Sequence, residues 1–230
     1  MRIFVDALAP GTLVVTGDEH HYLSRVRRAR AGDALELVDG EGHRARAVIE
    51  RIGERETLLR AGEVEAVVDA PPRVRVLVPV IKGDRMDTCL EKLVEVGADE
   101  IVVWPAARAV VKLEGDRRDA RLAHYQALVQ AAARQSGRAR VPTVSLAASL
   151  AAALARAGAC VVLDPSAERG AFPAAAELTI VSGPEGGLAP EELDALTAAG
   201  GLSIGLGPRV LRAETAPVVA VALVRAATAS

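Results

Sequence analysis

From residue 73 onward, short aliphatic runs alternate with longer segments of helical periodicity, and this alternation narrows the fold more than any other feature. The runs are Val74–Val80, "EIVVWPA", "CVVLDP", "LTIVSGP" and "LSIGLGP". Strands that alternate with helices imply a parallel α/β sheet. In "GDRMDTCLEKLVEVGA", Met86, Leu90, Leu93 and Val94 fall at i, i+4, i+7 and i+8, one apolar stripe. In "DARLAHYQALVQAAARQSG", Leu122, Tyr125, Val129 and Ala132 share a face, and Gly137 is placed to stop the helix. Further helices are expected around Ser149–Ala157, from Pro190, and from about Glu214 to the end.

The first 70 residues follow a different rhythm. "RIFV", "TLVV", "ALELVDGEG", "RARAVIERI" and "TLLRAG" are β-like runs separated by Pro-Gly, Gly-Asp and Asp-Gly turns, the pattern of a small β-rich barrel or sandwich. "GDEHHYLSRVRRARAGD" has room for one short helix with Asp18 as its cap. The double proline in "VVDAPPRV" suggests a linker, giving expected domains of residues 1–70 and 73–230.

Composition excludes several functions. Aromatics make up 2% of the chain, too few for a single-strand binder that stacks bases on rings. The net charge of −2 announces no nucleic-acid partner, but its distribution is uneven. Four arginines fall within Arg25–Arg30, and residues 105–142 hold seven Arg and one Lys against three acids. These local basic patches fit either a directed contact with an anionic polymer or plain solvated faces. Cys89 and Cys160 lack metal or redox spacing and read as buried thiols in a reducing cytosol. The longest apolar run, Ala216–Val224, is too short to span a bilayer, and the N-terminus does not read as a signal peptide. The expectation is a cytoplasmic protein with no metal site and no membrane contact.

The candidate chemistry lies in two similar strand ends, "IVSGPEGGLAPEEL" (Ile180 to Leu193) and "IGLGPRVLRAET". In open α/β sheets ligands sit beyond the carboxyl ends of strands. A phosphate cradle is a poor fit to the first loop, because Glu185 occupies its centre and Glu191 and Glu192 already fill the helix start. A neutral or partly cationic ligand fits better; a plain strand-to-helix turn is the other reading. The second loop brings Arg209, Arg212 and Glu214 within six residues. Arginines there suit phosphate or an oxygen gaining charge, while an Arg–Glu pair that merely caps the last helix is the alternative.

These paired loops resemble the C-terminal signature of the RsmE-type 16S ribosomal RNA uridine N3-methyltransferases of the SPOUT superfamily. The likeness extends to "KGDRMDTCLEKLVEVGAD", "QSGRARVP" and the His-His-Leu-like region of "GDEHHYLSRVRRARAGD". The resemblance implies a C-terminal parallel-sheet domain with a trefoil knot, a preceding PUA-like β-barrel, and a homodimer. It implies S-adenosylmethionine as cofactor and 16S rRNA or the small ribosomal subunit as partner. Carried onto this chain, Gly183, Pro184, Glu185, Gly186, Gly187, Leu206, Gly207, Pro208 and Leu211 would hold the cofactor. Arg209, Arg212 and Glu214 would face the methyl acceptor, and His20, His21, Arg25, Arg28, Lys82, Arg108, Gln135 and Arg138 would contact RNA. The chain departs from the family pattern at Arg27, Arg134, Ala189 and Ala213. A sulfonium donor makes Glu185 electrostatically tolerable where a pyrophosphate would not. A dinucleotide-dependent oxidoreductase and a non-catalytic RNA-binding factor are the competing readings.

Overall fold

The computed structural model describes residues 1–68, 70–109, 117–156 and 158–228, which fall into two compact units. The first comprises Met1–Val68 and Ala133–Val141; the second runs through Asp69–Ala132 and Pro142–Ser230.

The first unit is a five-stranded sheet built from β1 (Arg2–Phe4), β2 (Gly11–Val15), β3 (Ala34–Val38), β4 (His43–Ile52) and β5 (Thr57–Ala66). Its order is β1-β3-β4-β5-β2, antiparallel apart from the β1–β3 pair. Strand β4 shows why the sheet has an inside: Ala45, Ala47 and Ile49 are buried while Arg44, Arg46 and Val48 point to solvent. Register shifts at Ala45/Ala47 and Ile49/Arg51 bend the long β4–β5 ribbon. Ile3, Leu23, Leu35, Leu37, Ile49 and Leu59 form its core. Helix α1 (Gly17–His21) runs into one wider turn over Tyr22–Val26, which delivers Leu23 to that core. The helix starts from Thr16, so Asp18 lies inside it rather than capping it. Residues 133–141 return to this unit: Ala139 and Val141 pack with Phe4, Val38 and Val67, and the Val141 amide donates to the Gly40 carbonyl at 2.8 Å. No sequence signal marked that return.

Among its described residues the second unit carries six strands, β6 (Arg73–Pro79), β7 (Glu100–Trp104), β8 (Thr143–Leu146), β9 (Ala159–Leu163), β10 (Glu177–Val181) and β11 (Leu202–Ile204). All pair in parallel, in the order β11-β9-β10-β6-β7-β8. Every residue of β7 is buried, as expected of a strand covered on both faces. Strand β8 escaped the sequence reading because its four residues carry only two aliphatic side chains. The helices are α2 (Asp84–Glu95), α3 (Arg117–Ser136), α4 (Leu150–Leu154), α5 (Pro190–Ala198) and α6 (Ala216–Thr228). The α2 stripe is buried as expected, and Tyr125 and Val129 of α3 are too, with Leu122 only half-buried. Helix α4 is shorter than expected, its start capped by Ser149 Oγ accepting the Ala152 amide at 3.1 Å. Helix α6 packs on α2, β6 and β10 and begins at Ala216, because residues 213–215 form a turn.

Among the described residues, one buried and one partly buried ion pair lock this unit. Arg75 Nε donates to Glu100 Oε1 at 3.0 Å and its Nη1 to the Ala153 carbonyl at 2.6 Å. Arg225 of α6 reaches the carbonyls of Ala70, Pro72 and Gly97 and the carboxylate of Asp99. These four partners lie just before β6 and β7, at the amino-terminal edge of the sheet.

Candidate functional site

Strands β11, β9 and β10 are neighbours, so the loops that leave their carboxyl ends converge. They enclose a cavity of about 610 Å³, lined by Leu163 to Ser166 after β9, Ser182 to Glu185, Gly187 and Leu188 after β10, and Val210 to Ala213 after β11. The glycine turn after β10 is closed by the Gly187 amide donating to the Pro184 carbonyl at 2.9 Å. Gly187 sits at φ +72°, a conformation side-chain-bearing residues rarely adopt. Ala189 offers no hydroxyl to cap α5. Glu192 compensates: its Oε2 accepts the Ala189 amide at 2.8 Å, and its Oε1 accepts the Ala107 amide, beyond β7, at 2.7 Å. Glu185 pairs with Arg85 of α2, Oε1 to Nη1 at 3.2 Å. Ser182 is buried on the cavity wall, and its hydroxyl has no hydrogen-bond partner among the described residues.

The second loop is shaped by close backbone contact. The Gly205 amide donates to the Glu168 carbonyl at 2.8 Å, and a Cβ on Gly205 would meet the Ala167 oxygen at 2.2 Å. Beyond it, Leu206, Gly207, Arg209 and Leu211 line a hollow of about 50 Å³ that shares Leu163, Asp164, Pro165 and Ala216 with the main cavity or its rim. Arg212 lines the main cavity with a largely exposed side chain. Its Nη1 lies 3.8 Å from Glu214 Oε1, whereas Glu214 Oε2 is buried without a hydrogen-bond partner among the described residues. Burial pushes the nearby Cys89 thiol up to about 12, and the Glu214 charge adds to it.

The structure therefore brings together Gly183, Pro184, Glu185, Gly187, Leu211 and Arg212 around one cavity, with Leu206, Gly207 and Arg209 around its smaller neighbour. Gly186 faces away, its carbonyl accepting Arg108 Nη1 at 3.2 Å, and Pro208 is exposed and lines neither space. Sequence reasoning missed Arg85 and the Leu163–Ser166 wall. "CVVLDP" ends like the other two site strands, in a strand followed by a proline turn, and that signal could have found it.

The first unit holds an open groove of about 750 Å³ lined by Arg2, Arg27, Arg46, Arg134, Tyr22 and Gln135, among others. Arg2 is paired with Glu36. Arg134 binds Glu19 at 2.8 Å and lies over the Phe4 ring, 5.2 Å from its centroid. Desolvation raises the Glu19 carboxyl despite that partner. Of the residues expected to touch RNA, Gln135 lines this groove. His21, Arg25, Arg28 and Lys82 are exposed, Arg138 is partly buried, and Arg108 is engaged with Gly186. His20 is different: it is 8% exposed, with Nδ1 2.9 Å from Thr57 Oγ1 and Nε2 3.2 Å from the Glu54 carbonyl oxygen. Both ring nitrogens are committed inside the unit, so His20 is a structural residue rather than a phosphate contact. Part of the expected basic segment, residues 110–116, lies outside the described residues. Among the described residues no cluster of three or more metal-ligating side chains occurs, and no helix is long and apolar enough to cross a membrane.

Residues 69–225 match a family model described as an RNA methyltransferase domain, and residues 15–60 one described as an RNA methyltransferase PUA domain. The chain is 41% identical to the ribosomal RNA small subunit methyltransferase E of Mycobacterium tuberculosis, over 97% of this chain and 90% of that protein. It is 31% identical to the Bacillus subtilis protein of that name, covering 93% and 89%. A crystal structure of the Neisseria gonorrhoeae protein of the same name, bound to S-adenosyl methionine, superposes with a TM-score of 0.86 at 27% identity, covering 98% and 97%. A Legionella pneumophila methyltransferase in complex with the bound cofactor SAM gives 0.84 at 26% identity, covering 98% and 97%. With a family model spanning most of its length and full-length relatives above 30% identity, this chain belongs to the ribosomal RNA small subunit methyltransferase E family.

Proposed function

We propose that this protein transfers a methyl group from S-adenosylmethionine to N3 of a uridine in 16S rRNA, free or within the small ribosomal subunit. The observation that carries the reading is the cavity formed where three adjacent parallel strands end, walled by both glycine-proline loops. Its residues fit the donor. Leu163, Pro165, Leu188 and Leu211 supply an apolar wall, the loops approach with main-chain groups, and the Ser182 hydroxyl, without a partner among the described residues, is available to a ligand.

The bound donor supplies an electrophilic methyl on a sulfonium. In the reaction the S–CH₃ bond breaks, an N3–CH₃ bond forms and the N3 proton leaves. The chain's task is to hold N3 within about 3 Å of the methyl carbon and in line with it. Arg212 and Arg209 stabilise the negative charge that spreads to O2 and O4 when N3 loses its proton. Glu214, whose buried Oε2 has no partner among the described residues and whose Oε1 faces Arg212, orients that guanidinium and is our candidate proton acceptor. Because N3 lies on the pairing edge, the uridine must be unpaired or extruded. The arginine-lined groove of the first unit supports a phosphate-gripping role for Arg27 and Arg46, joined by the exposed His21, Arg25 and Arg28. A homodimer and a trefoil knot complete the proposal. The knot is supported by β11 lying at the sheet edge beside β9 while the chain after it passes against Glu168 and Arg169 and ends in α6 on β6 and β10.

The test is methyl transfer to small subunits purified without this modification. Arg212→Ala and Glu214→Gln should each lower turnover about 100-fold. Near-full activity in both would remove the catalytic assignment. Arg27→Ala and Arg46→Ala should each reduce the salt slope of RNA binding by about one; an unchanged slope would remove the groove from the interface.

A further inference from the structure

The donor cavity has a charged feature that neither the loop's closure nor the methyl transfer accounts for. Arg85 comes from the first turn of α2 and Glu185 from the centre of the glycine turn; both line the cavity and meet at 3.2 Å. The turn is already closed by the Gly187–Pro184 hydrogen bond and fastened by Glu192, so this pair is not what shapes it. Their side chains are 44% and 34% exposed, open enough for a ligand to reach. The nearest approach is between Arg85 Nη1 and Glu185 Oε1. A guanidinium has five N–H donors in a fork and a carboxylate about four lone-pair sites, so both retain capacity.

An adjacent cation and anion select a particular ligand chemistry. A simple anion meeting Arg85 is repelled by Glu185, and a simple cation meeting Glu185 is repelled by Arg85. A group carrying an ammonium and a carboxylate on one carbon satisfies both and leaves no charge uncompensated. We propose that Arg85 and Glu185 form a zwitterion clamp for the α-amino-acid end of the methyl donor, Arg85 meeting its carboxylate and Glu185 its ammonium. This inference rests on the cavity being the donor site. It assigns a specificity role to Arg85 and gives the Glu185 side chain a task beyond the main-chain contacts of its loop.

The experiment is a calorimetric titration of wild type, Arg85→Ala, Arg85→Lys and Glu185→Gln with S-adenosylhomocysteine and, in parallel, 5′-methylthioadenosine. The second ligand keeps the nucleoside and thioether but lacks the amino-acid end. Arg85→Ala and Glu185→Gln should weaken S-adenosylhomocysteine about tenfold or more while changing methylthioadenosine less than about twofold. Arg85→Lys should recover part of the loss, since it keeps the charge without the fork. Equal weakening of both ligands would mean that the pair only props the loop, and no weakening of either would mean it is idle; each outcome overturns the clamp. Failure of wild type to bind either nucleoside would overturn the donor-site reading itself.

Discussion

Removing Arg225 should separate the stability of the second unit from the competence of its site. Its guanidinium makes five hydrogen bonds, to Gly97 O at 3.0 and 2.7 Å, Ala70 O at 3.0 Å, Pro72 O at 2.8 Å and Asp99 Oδ2 at 2.5 Å. Breaking a fully buried pair from one side costs about 3–5 kcal/mol. Here the arginine side chain is 21% exposed and that of Asp99 8%. Water can reach part of what is left, and Asp99 keeps the Val74 amide at 2.8 Å, so Arg225→Ala should cost about 2–4 kcal/mol. At about 2–4 °C per kcal/mol for a chain of this size, Tm falls by about 5–15 °C in differential scanning calorimetry. Arg225→Lys should recover less than half, because an ammonium cannot span four partners. All those partners precede β6 and β7, whereas the cavity lies beyond the opposite ends of the strands. S-adenosylhomocysteine affinity of the folded variant at 25 °C should therefore stay within about twofold of wild type, sites this far apart acting independently. A loss of less than about 1 kcal/mol would refute the anchoring argument, and a large affinity loss would refute the separation of edges.

Other outcomes follow from the packing of the loops and the buried groups. Gly205→Ala puts a methyl 2.2 Å from the rigid Ala167 carbonyl, so the loops after β9 and β11 must part; calorimetry should show weaker S-adenosylhomocysteine binding together with about 1–3 kcal/mol of destabilisation. Burial pushes both thiols up, Cys89 to about 12, and outweighs the pull of Arg75 on Cys160. The native protein should therefore take up a thiol-reactive label at neither cysteine at mildly alkaline pH and at both once unfolded; rapid native labelling would contradict the packing. Burial alone would raise the Asp39 carboxyl, but the amides of His43 and Glu41 and the His43 ring outweigh it and hold it below the usual aspartate range. Its folded pKa is thus depressed. The stability it contributes is complete above the unfolded value of about 3.9 and is lost as pH falls through the folded one. Asp39→Asn should melt lower than wild type at neutral pH, the gap closing as the solution is acidified.

Apart from β8, the strands and their order of appearance were legible because parallel strands buried on both faces are mostly aliphatic, as the Val-, Ile- and Leu-rich runs within β6, β7, β9 and β10 are. The glycine turn was legible for a related reason, since a backbone that bends sharply at Gly183–Gly187 leaves few residues to choose from. What stayed hidden depends on contacts between distant segments. Arg85 reads as an ordinary exposed arginine in the first turn of α2 until Glu185 arrives from 100 positions away. His20 looks like its neighbour His21, and only the fold shows that Thr57 and Glu54 claim it. The return of residues 133–141 to the first unit is likewise a tertiary choice, since α3 continues unbroken to Ser136. The proline-bounded end of β9 carried a readable signal that its lack of glycines obscured.

Glu192 has a mechanical consequence. One carboxylate oxygen holds the turn that opens α5 and the other holds the segment after β7, while Arg108 from that segment grips the carbonyl of Gly186. Two loops far apart in sequence thus share one rotatable side chain as their hinge pin. Turning the carboxyl group alters both bonds at once, so a shift of one loop pulls on the other through Glu192, with Arg108 as a second tie. Displacing either loop should therefore strain the Glu192 carboxylate and the Arg108–Gly186 bond together.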